Sequence, residues 1–187
     1  MLPTSLSLEY AGTRSQVTAG RRATGIAAFA LLTAIGAFVR IPLPFTPVPI
    51  TLQTFFVLAS GIYLGGRDAA ASQGLYLGLG AAGLPVFAGG SGLAHLLGPT
   101  GGFLVAFPIA AWLVGGSLRP GDRLSRALVV LVSAIGIVFA LGASWLALVM
   151  GVGPGEAFAL AVLPFLPGAA LKIAAATALV ARPPIIR

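Results

Sequence analysis

The sequence predicts an all-α integral membrane protein with six transmembrane helices and both termini in the cytoplasm. Of its 187 residues, 58% are hydrophobic and 8% charged, where soluble domains carry roughly a quarter charged residues. Mean hydropathy is +1.03. Six apolar segments can be drawn, at residues 23–39, 50–65, 69–83, 101–116, 126–150 and 157–181. The arginines then sort by side. Arg14, Arg21 and Arg22 precede the first segment and Arg67 lies between the second and third. Arg119, Arg123 and Arg126 lie between the fourth and fifth, and Arg182 and Arg187 follow the sixth. With six crossings all of these share one face, and Arg40 stands alone on the other. The positive-inside rule makes the crowded face cytoplasmic. The net charge of +7 therefore reads as topology, not as a nucleic-acid surface.

Taken in order, residues 1–20 are polar and lack the long apolar core of a signal peptide, so they read as a loosely ordered cytoplasmic tail. No repeat or low-complexity linker divides the remainder, and residues 21–187 read as one membrane domain. The first segment carries Ala23, Ala27, Ala30, Ala34 and Ala37. The steps alternate four and three, which puts all of them on one helix face. Such seams let helices approach closely in membranes; the spacing does not say whether the partner is another helix of this chain or another protein. A full crossing needs about 20 residues. The second, third and fourth segments fall short of that, and the first somewhat. Short or Gly/Pro-interrupted segments flank transporter binding sites. The fifth and sixth are long enough to span with tilt.

The connections on the face opposite the cytoplasm are elaborate. Pro42, Pro44, Pro47 and Pro49 impose extended backbone. Thr46 or Thr51 is positioned to cap the next helix. Gln53 then lies in that helix's first turn, as a ligand contact or as a hydrogen bond to a neighbouring helix. Residues 84–102 cannot form one helix, because they hold Pro85, Pro99 and six glycines. They are nearly uncharged, with His95 their one titratable side chain. Irregular backbone at membrane depth must be packed in protein or line a cavity, so this stretch reads as pocket wall. His95 alone is as compatible with packing as with ligand contact.

Lys172 is the only lysine and lies inside the sixth segment, with no acid one turn away. Intramembrane charge defaults to function, and an unpaired buried cation favours an anionic ligand; the alternative is snorkelling to the interface. Pro164 and Pro167 free carbonyls ahead of it, or simply kink the helix.

Several chemistries are excluded. Without cysteine there is no disulfide or thiolate metal site. No carboxylate pair lies within the apolar segments, and no cluster has metal-ligand spacing. A Walker A loop needs Gly-Lys-Ser/Thr, whereas Lys172 sits in L-K-I. The sequence thus predicts no enzyme, no catalytic residue, no metal and no resident cofactor.

The motifs P-V-P-I-T-L-Q-T at 47–54, G-L-P-V-F-A-G-G at 83–90 and G-P-T-G-G at 98–102, with P-F-L-P-G-x-x-L-K at 164–172, resemble the BioY family. These are the biotin-specific substrate-capture (S) components of energy-coupling-factor transporters. The resemblance covers about residues 23–181 and implies the six-helix S-component fold, multi-pass in the inner (plasma) membrane. It implies that biotin is captured from outside under the first and third connections. Its implied partners are membrane lipid, a transmembrane coupling protein and two ATP-binding cassette subunits, which alone use ATP. Residue by residue, Lys172 matches the family's pocket lysine, Gln53 its glutamine, and Ser91 a position where some members have asparagine. Gly90, His95, Thr100 and Gly101, from the same motifs, complete the implied substrate-binding set. The resemblance turns Ala23, Ala27, Ala30, Ala34 and Ala37 toward the coupling protein as a docking seam. There are departures. Ala169 stands where members often carry an aspartate, Phe103 replaces a common tyrosine, and His95 replaces an aromatic. The alternatives are an S component or stand-alone carrier for another small anionic solute, and a ligand-free structural subunit.

Overall fold

A computed structural model of the chain describes residues 4–119 and 121–180, with side chains from residue 19 onward. The expected positions Arg14, Arg182 and Arg187 lie outside the described side chains. Helix α1 (Thr4–Phe38) begins inside the stretch expected to be a loose tail. The reason is local: no proline interrupts residues 4–38, so nothing stops the helix short of its apolar part.

The bundle is mostly helical but not purely so. The proline-rich connection folds into an antiparallel hairpin of β1 (Arg40–Leu43) and β2 (Thr46–Thr51), pairing Arg40 with Thr51 and Ile41 with Ile50. Its ladder is irregular beyond Ile41, because proline cannot donate to it. There follow α2 (Gln53–Leu64), α3 (Gly66–Ala81), α4 (Gly92–Leu97), α5 (Gly101–Ser117) and α6 (Leu124–Met150). Helix α4 falls within the stretch read as non-helical; its six residues fit between the glycines. The sixth apolar segment is broken into α7 (Pro154–Ala161), a 3-10 turn (Leu163–Phe165) and α8 (Leu166–Val180). Among the described residues, Ala19–Phe38, Leu124–Met150 and Pro154–Val180 are long and apolar enough to cross a membrane, while α2 and α5 are shorter apolar helices.

Helix α5 is the hub, packing on α2, α3, α4 and α6. Its approach to α2 and α3 is backbone to backbone. A Cβ on Gly115 would run into the backbone of Gly65 and Gly66 and stand 2.8 Å from the Gly61 carbonyl oxygen. Gly115→Leu is therefore expected to melt earlier, by the ~1–3 kcal/mol typical of overpacking. Equal thermal melting in detergent would show that the helices can part there.

The alanine seam divides. Ala30, Ala34 and Ala37 are 2%, 6% and 1% exposed, buried where α1 lies on α2 and α3. The expectation that the whole seam faces a partner protein is corrected for these: the chain's own helices use them. Ala23 and Ala27 remain exposed. Near them Arg22 donates to both carboxylate oxygens of Asp68, at 2.8 and 2.7 Å, tying α1 to α3. The guanidinium holds the Asp68 carboxyl below the usual carboxylate range.

Candidate binding site

The break before α8 positions the site. The Leu163 carbonyl, which Pro167 would leave without its helical partner, accepts the Leu166 N–H in the 3-10 turn, so that carbonyl is not free for a ligand. Helix α8 then starts afresh at Leu166 and carries Lys172 inward less than two turns later. The Lys172 Nζ donates to Thr54 Oγ1 at 2.8 Å. The Arg22–Asp68 and Arg126–Asp122 ion pairs do not involve Lys172.

Across the first turn of α2, Gln53 is 3% exposed and hydrogen-bonded at both ends of its amide. Thr51 Oγ1 donates to its Oε1 at 3.1 Å, and its Nε2 donates to Tyr76 Oη at 2.5 Å. The Tyr76 hydroxyl donates in turn to the Val86 carbonyl at 3.2 Å. A backbone carbonyl can only accept, and a phenol has one proton. The phenol spends it on Val86, so it must accept from Gln53. This fixes the amide with Nε2 toward Tyr76 and Oε1 beside Thr51. Neither threonine caps α2 as expected: its N-cap is Leu52, without a side-chain cap. The Thr51 hydroxyl is taken by Gln53, and Thr46 Oγ1 accepts the Val48 N–H instead.

These groups meet in one cavity. Val48, Pro49, Ile50, Thr51, Gln53 and Thr54 form one wall, and Phe103, Leu104 and Phe107 of α5 another. Ile135, Val138 and Phe139 of α6 close it, with Phe165, Ala169 and Lys172 from the last segment and Ala88, His95 and Thr100 as the lid. The cavity is about 70 Å³, well below the ~300–1,000 Å³ of pockets that bury a drug-sized ligand. Occupation by such a ligand requires the hairpin or the lid to shift.

The lid is pinned from behind. The His95 ring stacks on Phe87, with centroids 5.4 Å apart, and Phe87 meets Tyr76 edge-on at 5.5 Å. Thr100 Oγ1 lies 3.4 Å from His95 Nε2. Burial pushes the His95 imidazole below its ordinary pKa. Trp145 of α6 donates to the Gly98 carbonyl at 2.9 Å and anchors the Gly-Pro-Thr-Gly-Gly turn.

Of the expected site residues, Gln53, His95, Thr100 and Lys172 line the cavity. Gly90, Ser91 and Gly101 stand just behind it. A Cβ on Gly90 would press on the His95 ring, and one on Gly101 would meet the Leu96 carbonyl. Ser91 is the N-cap residue of α4, with no side-chain cap bond. Sequence reasoning missed Thr54 and Tyr76. Thr54 adjoins Gln53 in the motif that raised it; nothing in the sequence paired Tyr76 with a residue 23 positions away. Ala169 does line the cavity, which places a methyl group where an aspartate was noted as common. Among the described residues, no group of three or more His, Cys, Asp and Glu could hold a metal ion.

A helical bundle with several membrane-length helices, enclosing an apolar cavity that bears one cation and a fixed amide, is a membrane protein built to hold a small polar-headed solute. The comparisons agree in kind. A sequence profile of the BioY family matches residues 12–184, and the chain belongs to that family. It is 42% identical to the probable biotin transporter BioY of Pyrococcus horikoshii over 161 residues, covering 84% of this chain and 92% of that one. It is 40% identical to the biotin transporter BioY of Rhodobacter capsulatus over 179 residues, covering 87% and 92%. The crystal structure of an S-component for biotin from an ECF-type ABC transporter superposes with a TM-score of 0.79 at 26% identity, over 97% of this chain and 94% of that one.

Proposed function

We propose that this chain is the biotin-binding S component of an energy-coupling-factor transporter in the plasma membrane. It captures biotin from outside and delivers it inward. A transmembrane coupling protein and ATP-binding cassette subunits supply the energy. The chain itself is no enzyme and needs no resident cofactor. The observation that carries this is Lys172, among the described residues a cation without a carboxylate partner, held with Thr54 and Gln53 in the cavity beneath the lid. Lys172 supplies positive charge to an anionic ligand, and Gln53 Oε1 supplies the acceptor for an N–H. Together with Thr51 and Thr54 it offers polar contacts that Ala169 cannot. His95 and Thr100 contact the ligand from the lid, which Gly90, Ser91 and Gly101 shape.

The topology that fits is six crossings within a single membrane domain, residues 21–187, with both termini cytoplasmic. Helix α2, at 12 residues, is only about 18 Å long. It crosses with the hairpin filling the remaining depth on the outer side. Ala23 and Ala27, exposed midway along α1, are what the seam has left for the coupling protein.

Purified protein in detergent is expected to bind biotin at low-nanomolar concentration by titration calorimetry. No binding at micromolar biotin would sink this function. A competition panel of other small acids separates biotin from another anionic solute, since only the true ligand displaces the rest.

A further inference from the structure

Beside the Lys172 cavity lies a larger one of about 280 Å³, lined by Arg40, Pro42, Leu43, Thr46, Pro47, Pro49 and Ala88. Pro49 and Ala88 line both, so one wall of a hairpin proline and a lid alanine separates the two spaces. That wall is the seam between the hairpin and the lid, one of which must shift before a ligand enters. The outer space is thus a vestibule, and Arg40 is its only charged side chain.

Arg40 is built into that seam. It stands on β1 opposite Thr51, and its guanidinium lies against Gly89 of the lid, where a Cβ would press on it. Gly89 has φ +99°, a conformation that side chains disfavour, and as glycine it leaves the space under the guanidinium clear. Among the described residues Arg40 makes no ion pair, and it is exposed. In the six-crossing topology proposed above, it stands on the face opposite Arg21, Arg22, Arg67, Arg119, Arg123 and Arg126. A lone cation at the mouth of a cavity concentrates anions there and raises their association rate.

We infer that Arg40 is an entry subsite for the carboxylate of the ligand, distinct from Lys172 in the inner cavity. This rests on the biotin reading above. The acid is drawn to the guanidinium in the vestibule, and the shift of Pro49 and Ala88 then admits it to the inner cavity. Rim charges act on association, whereas desolvated charges act on dissociation. The two cations should therefore separate kinetically.

The test is stopped-flow binding to the purified full chain in phospholipid-free detergent, with biotin and with its uncharged methyl ester. Arg40→Gln is expected to slow biotin association about tenfold at low salt, within the range of electrostatic steering. Its dissociation rate should stay within about twofold, because the rim charge is not part of the final contact. Arg40→Lys should restore most of the rate. The deficit should vanish at about 0.5 M salt, where screening is short-ranged. Ester kinetics should not change, which also shows that the variant is folded. Equal slowing of acid and ester, or a change confined to dissociation, overturns the inference. So does a deficit seen only in anionic-lipid vesicles, which would make a headgroup phosphate the partner of Arg40. Wild-type protein that binds neither compound overturns the biotin reading along with it; wild-type binding with unaltered Arg40→Gln rates overturns this inference alone.

Discussion

Lys172→Ala is expected to weaken biotin binding by at least ~1.5–3 kcal/mol, the typical worth of a hydrogen bond to a charged group. That is roughly 10- to 150-fold in Kd, read by titration calorimetry. The size follows from the surroundings. Lys172 is half-buried in a wall of Phe165, Ala169 and Phe139, and its amine has one neutral hydroxyl, Thr54, at 2.8 Å. Thr54 can steady a cation but cannot neutralise it, and an ion kept from water gains most from an opposite charge. Most of the loss should appear as faster dissociation. Lys172→Met separates charge from packing, since it keeps the length of the side chain. It should bind as poorly as the alanine variant while melting at or above the wild-type temperature, because it removes a desolvated charge. A Kd unchanged in both variants would leave Lys172 a structural residue and return the search to the amide and the lid.

Legibility in the sequence tracks the cost of burial. A lysine and a glutamine in apolar segments are expensive, and both emerge in the cavity. The proline run announced extended backbone, but its pairing into a hairpin depends on which residues face each other, and proline spacing does not encode that. The sixth apolar segment looked continuous because hydropathy does not register the turn at Leu163–Phe165. The seam was legible as a close-packing face, yet its partner was not. Ala30, Ala34 and Ala37 turn inward because α2 and α3 pack there, while Ala23 and Ala27 stay exposed. The stretch at 84–102 was legible as irregular and apolar, and it does supply the lid. Its supports, Tyr76 and Trp145, come from α3 and α6 and are set by tertiary packing alone.

Tyr76→Phe should cost both stability and affinity, and it tests whether the amide of Gln53 is held in one orientation. The ring itself would stay: a phenylalanine at this position keeps the edge contact with Phe87 and the stacking on Phe107. What disappears is the hydroxyl that accepts from Gln53 Nε2 and donates to the Val86 carbonyl. Tyr76 is 0% exposed and Gln53 3%, so water does not replace it readily. Each buried group left unpaired costs about 1–3 kcal/mol. Freed of the phenol, the amide can turn and present a donor where the cavity now has an acceptor, and the lid loses its tie at Val86. Biotin affinity should fall several-fold along with thermal stability. A double-mutant cycle with Gln53→Met separates the two routes, because neighbours in one network are not additive. In the Gln53→Met background the phenol no longer has an amide to orient, so Tyr76→Phe should change biotin affinity by less than about twofold while still costing the Val86 bond. An affinity loss of equal size in both backgrounds would mean that Tyr76 supports the lid and does not orient the amide.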